Sequence, residues 1–303
     1  MEYNTFKETV LRRLADDIPN PKKITVQSIC RNNGDVLDGL VILENGVNIA
    51  PTLYLNYYYK SYRTGTCFQE TYEQILKHYE ANKTTESIDV SFFTDFDKTE
   101  SRIVFKLIHY EKNKKLLQDT PHIPFLDLAI VFYCYIPLDP SVGNATILIR
   151  SSHLDLWNQT AQSLYPIARK NAARLLPPKF HNMNSLMEEM LQLRPYPTVM
   201  IPEDPLYPMY VLTNSQSMFG ASCLLYDGLI RSLADRFQSD FYILPSSIHE
   251  TILIPASCDS RMNDFSDMVR EVNETQVADE EILSDHAYYY SREQDRITFT
   301  SET

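Results

Sequence analysis

The sequence predicts an α+β protein with mixed, mostly antiparallel sheets and packed helices, arranged in two lobes. Three observations carry this. Strand–turn–strand patterns lie near both ends of the chain, at 24–43 and 286–299, and short turn-linked strands pair antiparallel. Helical periodicity appears in separate blocks between strands, at 68–79, 154–176, 229–237 and 260–273. Finally, Pro195, Pro197, Pro202, Pro205 and Pro208 crowd one stretch. That density excludes regular helix and central strand. Lobes are therefore expected at 1–176 and 209–303, joined by a Pro-rich segment at 177–208.

The first element is a helix. Thr5 and Glu8 have capping-box spacing, Phe6, Val10 and Leu14 share one face with Leu11 beside them, and Pro19 and Pro21 stop it. Residues 24–29 alternate as a strand, Asn32-Asn33-Gly34-Asp35 is a turn, and Val36 to Leu43 returns as the second strand. From Thr52 the period changes. Leu53, Tyr57 and Tyr58 share a face, and Tyr72, Ile75 and Tyr79 repeat the pattern, so two helices broken at Gly65 are expected. Strands follow at Arg102–Tyr110, Leu126–Ile136 and Ala145–Arg150, the last two joined by a turn at Pro140–Asn144. Leu154 to Leu176 reads as a helix interrupted or kinked at Pro166, and Met183 to Leu193 as one more.

The C-terminal lobe reads as α/β-like. Tyr210–Leu212 is a strand and Asn214–Gly220 a loop. Asp227 is expected to cap a helix with the apolar stripe Leu229, Ile230, Leu233, Ala234 and Phe237. Strands at Phe241–Leu244 and Thr251–Ile254 precede a helix at Ser260–Asn273, with Met262, Phe265, Val269 and Val272 inward. His286–Tyr290 and Arg296–Phe299 form a terminal hairpin.

Composition removes several function classes. The chain of 303 residues carries a formal net charge of −12, which repels a phosphate backbone, so nucleic acid is disfavoured as a partner. The basic stretches at Arg12-Arg13, Lys22-Lys23 and Lys112–Lys115 are short enough to be solvated surface. No window approaches 18 uncharged apolar residues, and the longest apolar run, Leu126–Leu138, contains Asp127, so no membrane span is expected. The N-terminal residues carry Glu2 where a signal peptide is basic, and no apolar run follows. Five widely spaced cysteines without a C-x-x-C read as reduced thiols, which points to the cytoplasm. Only seven glycines occur, and the one G-x-x-x-x-G, Gly34 to Gly39, is followed by Leu40-Val41 where a phosphate loop needs Lys and Ser or Thr. The seven histidines have no metal-ligand spacing. No cofactor and no metal are expected.

Two clusters carry candidate chemistry. The first is Asp95, Asp97 and Thr99, a D-x-D-x-T after an apolar run. It resembles the first motif of the haloacid-dehalogenase phosphotransferases, where one Asp attacks phosphorus and the next acts as acid/base. The downstream acidic pair of that family has no counterpart here, and the plainer reading is a loop whose carboxylates cap backbone amides. The second cluster is Ser246, Ser247, His249 and Glu250 at a strand end, with Asp285 and His286 as possible partners for a hydrolytic centre. The plainer reading is a polar turn closed by Pro245.

Other matches are incomplete. Gly220-Ala221-Ser222-Cys223-Leu224 lacks the second glycine of a nucleophile elbow. His249-Glu250-Thr251-Ile252-Leu253 has Leu where a zinc protease needs its second histidine. The runs Tyr57–Tyr59 and Tyr288–Tyr290 suit a partner surface, but each must face more than one way, so part of each is expected in the core.

The segments Tyr210–Asn214, Gly220–Ser222, Asp240–Glu250, Met268–Val277 and Leu283–His286, with Asn48–Thr52 and Thr94–Lys98, resemble the bacterial domain-of-unknown-function family numbered five-six-eight-eight. The resemblance spans nearly the whole chain. It implies one architecture and a cytosolic bacterial protein, and it brings no reaction, cofactor or catalytic residue. The function expected is a non-enzymatic binding or regulatory protein with a protein or small-molecule partner. The alternative is a hydrolase or phosphotransferase working from either cluster. Nothing in the sequence speaks to oligomeric state.

Overall fold

A computed structural model describes residues 1–19, 21, 23–34, 36–48, 50–83, 90–137, 144–186, 208–258 and 264–300. Contacts divide the chain into Met1–Phe93 with Pro137–Asn144, and Thr94–Ile136 with Ala145–Thr303.

The first unit builds on α1 (Tyr3–Asp17), whose Phe6, Val10 and Leu14 are fully buried as the periodicity requires. The capping box does not form. The helix begins two residues before Thr5, whose carbonyl accepts from Thr9 Oγ1 inside the helix. Strands β1 (Lys23–Cys30) and β2 (Val36–Leu43) pair antiparallel around Asn33 and Gly34. Both residues have left-handed φ, 62° and 77°, which matches the twist of the flanking strands; Asp35 lies outside the described residues. A third strand, β3 (Thr52–Tyr54), adds to β2 where helical periodicity was expected to start. Three residues are too few for a period of two to register. Helices α2 (Leu55–Arg63) and α3 (Phe68–Asn82) follow, broken around Gly65 as expected. The core joins Phe6, Val10, Leu14, Leu40, Leu55, Tyr72, Ile75 and Tyr79, and each such large buried side chain contributes roughly 1.5–3 kcal/mol.

The second unit holds two antiparallel sheets. Short α4 (Phe96–Thr99) leads into β4 (Ile103–His109), and α5 (Lys114–Leu117) into β5 (His122–Phe125). The central strand is β6 (Leu128–Pro137), flanked by β4 and β5 and also paired with β7 (Asn144–Leu148). Nearly every residue of β6 is buried, which accounts for its unbroken apolar run. Strand β5 is masked in the sequence by Pro124, a residue an edge strand tolerates. The turn expected at Pro140–Asn144 falls mostly outside the described residues. Helices α6 (Ser151–Trp157) and α7 (Ala161–Leu175) correct the expected break. It falls at Asn158, with φ of 51°, and Thr160 and Ser163 restart the helix through a reciprocal cap. Pro166 sits in the second turn of α7 without ending it.

The other sheet runs β13-β12-β10-β11-β9-β8, antiparallel at every pairing. Its strands are β8 (Pro178–Asn182), β9 (Tyr210–Asn214), β10 (Phe241–Leu244), β11 (Thr251–Pro255), β12 (Tyr288–Ser291) and β13 (Arg296–Phe299). The α/β-like expectation for this half is therefore corrected to an antiparallel sheet. So is the division at 177–208. Strand β8 pairs with β9 across that segment, and Met183 N–H donates to Met209 O at 2.9 Å, so both its ends belong to one sheet. A helix starts at Met183, and residues 187–207, with the proline cluster up to Pro205, lie outside the described residues.

Two helices cover this sheet. In α8 (Leu229–Phe237), Ile230, Leu233 and Ala234 are buried as the stripe predicts. Its N-cap is Gly228, not Asp227, whose side chain pairs instead with Arg169. In α9 (Asp264–Thr275), Phe265, Val269 and Asn273 face inward, while Val272 is 37% exposed. Asn273 takes the inward place read for Val272 because it follows Phe265 and Val269 at four-residue spacing. Met262 lies outside the described residues. Among the described residues, no helix is long and apolar enough to cross a membrane.

Candidate functional site

The Asp95 cluster is local structure. Asp95 is the N-cap of α4, its Oδ1 accepting from Asp97 N–H at 3.1 Å while Oδ2 pairs with Lys98 at 3.3 Å. Thr99 Oγ1 donates to Asp95 O at 2.9 Å. All three residues lie in one short helical turn.

The Ser246–Glu250 segment is a turn between β10 and β11. Ser247 N–H donates to Glu250 O at 3.2 Å, and Ser247 Oγ accepts from His249 N–H at 3.0 Å. The imidazole of His249 stacks on Phe219, with ring centres 5.6 Å apart. Its Nδ1 accepts from Phe219 N–H at 3.2 Å, and its Nε2 lies 3.6 Å from Glu281 Oε1. The carbonyl of His249 accepts from Thr213 Oγ1 at 2.8 Å. The Ser246 hydroxyl has no hydrogen bond among the described residues. Burial, and then the Glu281 carboxylate, raise Glu250 above the usual carboxylate range. Ser246 lines a small cavity of about 70 Å³ with Met209, Leu244, Ile252, Met268 and Asn273.

Asp285 and His286 belong to a different constellation. Asp285 accepts from Asn273 Nδ2 at 2.9 Å and pairs with Lys112 at 3.2 Å. Burial alone would raise its carboxyl, but these two donors hold it below the usual range. His286 N–H donates to Ser284 Oγ at 2.9 Å, and its ring meets Phe299 edge-on. Neither residue makes a hydrogen bond or ion pair with Ser246–Glu250 among the described residues.

Around them stand groups that sequence reading missed. Asp127 forms the β5–β6 turn with Leu126, accepting from Tyr288 OH and Ser284 Oγ, each at 2.6 Å. Buried His109 takes the Lys112 N–H on Nδ1 at 3.4 Å. The one signal was Asp127 itself, an acid inside an otherwise apolar run.

Burial, and then Lys112, hold His109 below the ordinary histidine value of 6.5, against the pull of Asp127 and Asp285; His286 adds to the lowering. The folded state therefore resists a proton that the unfolded chain accepts, so stability present above about pH 6.5 is lost as pH falls below it. Urea unfolding at pH 7 and pH 5.5 is expected to show a smaller loss of stability in His109→Gln than in the parent. Equal losses in the two proteins would refute the assignment.

A groove of about 540 Å³ lies in the second unit. Tyr165 and Arg169 come from α7, Gly228, Ile230 and Arg231 from the start of α8, Tyr290 from β12, and Arg296 and Ile297 from β13. Leu126, with a left-handed φ of 52°, lines it from the β5–β6 turn. Arg169 pairs with Asp227 and donates from Nε to Leu225 O at 3.2 Å. Arg231 pairs with Asp295 at 3.2 Å, and Tyr290 OH donates to the same carboxylate at 2.6 Å. Arg296 is exposed, and its guanidinium has no ion pair or hydrogen bond among the described residues. These arginines are solitary in the sequence, and no spacing marks them. Among the described residues, no group of three or more His, Cys, Asp or Glu is placed to hold a metal ion.

The model of a family of unknown function, DUF5688, matches residues 3–292. No curated protein and no solved structure matches the chain.

Proposed function

The chain belongs to that family of unknown function, and we propose that it is a non-enzymatic binding or regulatory protein of the bacterial cytoplasm. One observation carries the reading: the side chains suited to catalysis are occupied by their own backbone surroundings. A general base must reach the proton it removes, yet His249 Nδ1 accepts a backbone N–H and, among the described residues, no base accepts from Ser246. Asp95 is spent on a helix cap. The groove offers a concave surface of the size that small ligands fill. The cytoplasmic placement is supported by free thiols at Cys30, Cys67, Cys134 and Cys223, and the bacterial source by the family resemblance.

The hydrolase reading keeps one observation, the raised and half-buried Glu250 carboxyl beside Glu281. A turnover panel separates the two. The protein is incubated with p-nitrophenyl acetate and, with Mg²⁺, p-nitrophenyl phosphate, alongside His249→Ala, Glu250→Gln and Asp95→Asn. The expected result is background release, equal in all four proteins. Release above background that any one of these substitutions abolishes would overturn the proposal.

A further inference from the structure

We infer that the groove between α7, the start of α8 and the β12–β13 hairpin binds a small organic anion, a carboxylate or phosphate carried on an apolar, flat body. This rests on the binding reading above and names the chemistry of its ligand.

Charge is the first argument. The chain as a whole carries −12, yet the groove is lined by Arg169, Arg231 and Arg296 against one carboxylate, Asp295. Counting Asp227, which holds Arg169 from outside the lining, three guanidinium groups still face two carboxylates. The local sign is opposite to that of the protein. An anion entering here leaves a repulsive average field for a favourable one, which discriminates against cationic and neutral ligands.

Preorganisation is the second. Asp227 and Asp295 already hold Arg169 and Arg231 in place, so less rotamer freedom is lost when a ligand arrives. Arg296 sits at the rim with its charge unanswered among the described residues. A guanidinium presents paired N–H donors that match a carboxylate or phosphate edge. The Tyr165 hydroxyl, half-buried on the same wall, also has no hydrogen-bond partner among the described residues.

The third is the remainder of the lining. Phe125, Leu126, Ile230 and Ile297 supply apolar surface, which a bare inorganic ion would leave uncovered. A volume of about 540 Å³ suits an organic molecule with a charged end, whereas a nucleic-acid strand would be repelled by the net charge of −12.

The test uses the full chain with benzoate and phenyl phosphate as anionic probes and benzyl alcohol as the uncharged control. Saturation-transfer NMR detects binding, and competition ranks affinity. At least one anion is expected to bind about tenfold more tightly than benzyl alcohol, the size of one charge-assisted contact. Arg296→Ala should remove that advantage, and Arg270→Ala, whose partner is Asp267 on α9, should leave it intact. Binding of benzoate alone assigns a carboxylate ligand, and of phenyl phosphate alone a phosphate ester.

The inference is overturned if neither anion binds, if both arginine variants behave alike, or if benzyl alcohol binds as well as the anions. In that last case, loss of all binding in Ile297→Trp, which fills the groove from the edge strand, would retain a binding groove without the anion. Turnover in the panel described above would instead overturn the binding reading itself, whatever the probes do.

Discussion

Replacing Gly220 by alanine is expected to destabilise the fold by about 3 kcal/mol, the upper part of the range for forcing a group into a filled site. A Cβ at this position would overlap Thr213 Oγ1, the carbonyl oxygen of His249 and the amide nitrogen of Asn214. Two of these are backbone atoms: Asn214 is paired with Pro178 of β8, and His249 lies two residues before Thr251, where β11 pairs with β9, so neither swings aside freely. The hydrogen bond from Thr213 Oγ1 to His249 O, 2.8 Å long, crosses the same space. The glycine is thus required by the close approach of two chain segments and not by its torsion angle. Urea unfolding should show a lower midpoint with an unchanged slope. A shift below about 0.5 kcal/mol, the scatter of ordinary surface substitutions, would mean that the segments part without cost.

Asp127→Ala is expected to cost a similar amount, about 3 kcal/mol, since each hydrogen bond to a charged group contributes about 1.5–3 kcal/mol. Its carboxylate takes two hydroxyl donors, from Tyr288 and Ser284, and both residues are fully buried. Burial, and then Asp127, already push the Tyr288 phenol well above its usual range, so it remains a donor at any ordinary pH. Removing the acceptor leaves the hydroxyl of a fully buried tyrosine without its partner. Tyr288→Phe deletes one donor and keeps the ring, so its cost should be about 1.5–2 kcal/mol, the low end for a single charge-assisted bond. A double-mutant cycle between the two positions measures the shared term. A coupling near zero would show that Asp127 is held by the β5–β6 turn alone. The turn has its own demand: Leu126 sits at a left-handed φ of 52°, where a residue with a Cβ pays roughly 1–2 kcal/mol. The bonds at Asp127 hold the neighbouring residue there, on the wall of the groove.

The helices were the readable part of the fold. The face made by Phe6, Val10 and Leu14, and the stripe of Ile230, Leu233 and Ala234, repeat with helical period and are buried on that face. The outer hairpins were readable too, through Asn33-Gly34 and through the alternation of Tyr288 and Tyr290 inward with Tyr289 between them. Three of the short strands were not. Strands β3, β5 and β8 are short, and two of them contain proline, so their local pattern matches loop as well as strand. They exist because a neighbouring strand supplies the hydrogen-bond ladder.

The candidate chemistry divides in the same way. The caps at Asp95 and Ser247 are local arrangements, and the sequence read each as a plain turn beside its catalytic possibility. Asp285 and His286 were paired in sequence reading with Ser246–Glu250, but their contacts go to Asn273, Lys112 and Ser284. Which of two polar clusters a side chain joins depends on sheet order, and no spacing encodes that order.

What this sequence determined by itself is whatever a few neighbouring residues decide together: which helix faces are apolar, where turns form, the acidic net charge, the absence of a phosphate-loop motif and the family. Each depends on interactions within a turn or two of chain, so it leaves a periodic or compositional mark. The tertiary structure alone decided that β8 closes onto β9, that Asp127 meets Tyr288 and Ser284, and that Arg169, Arg231 and Arg296 line one groove. These are encounters between distant segments, fixed by the closing of a six-stranded sheet over a shared core. A single charged residue carries no record of the partner that such closure brings to it.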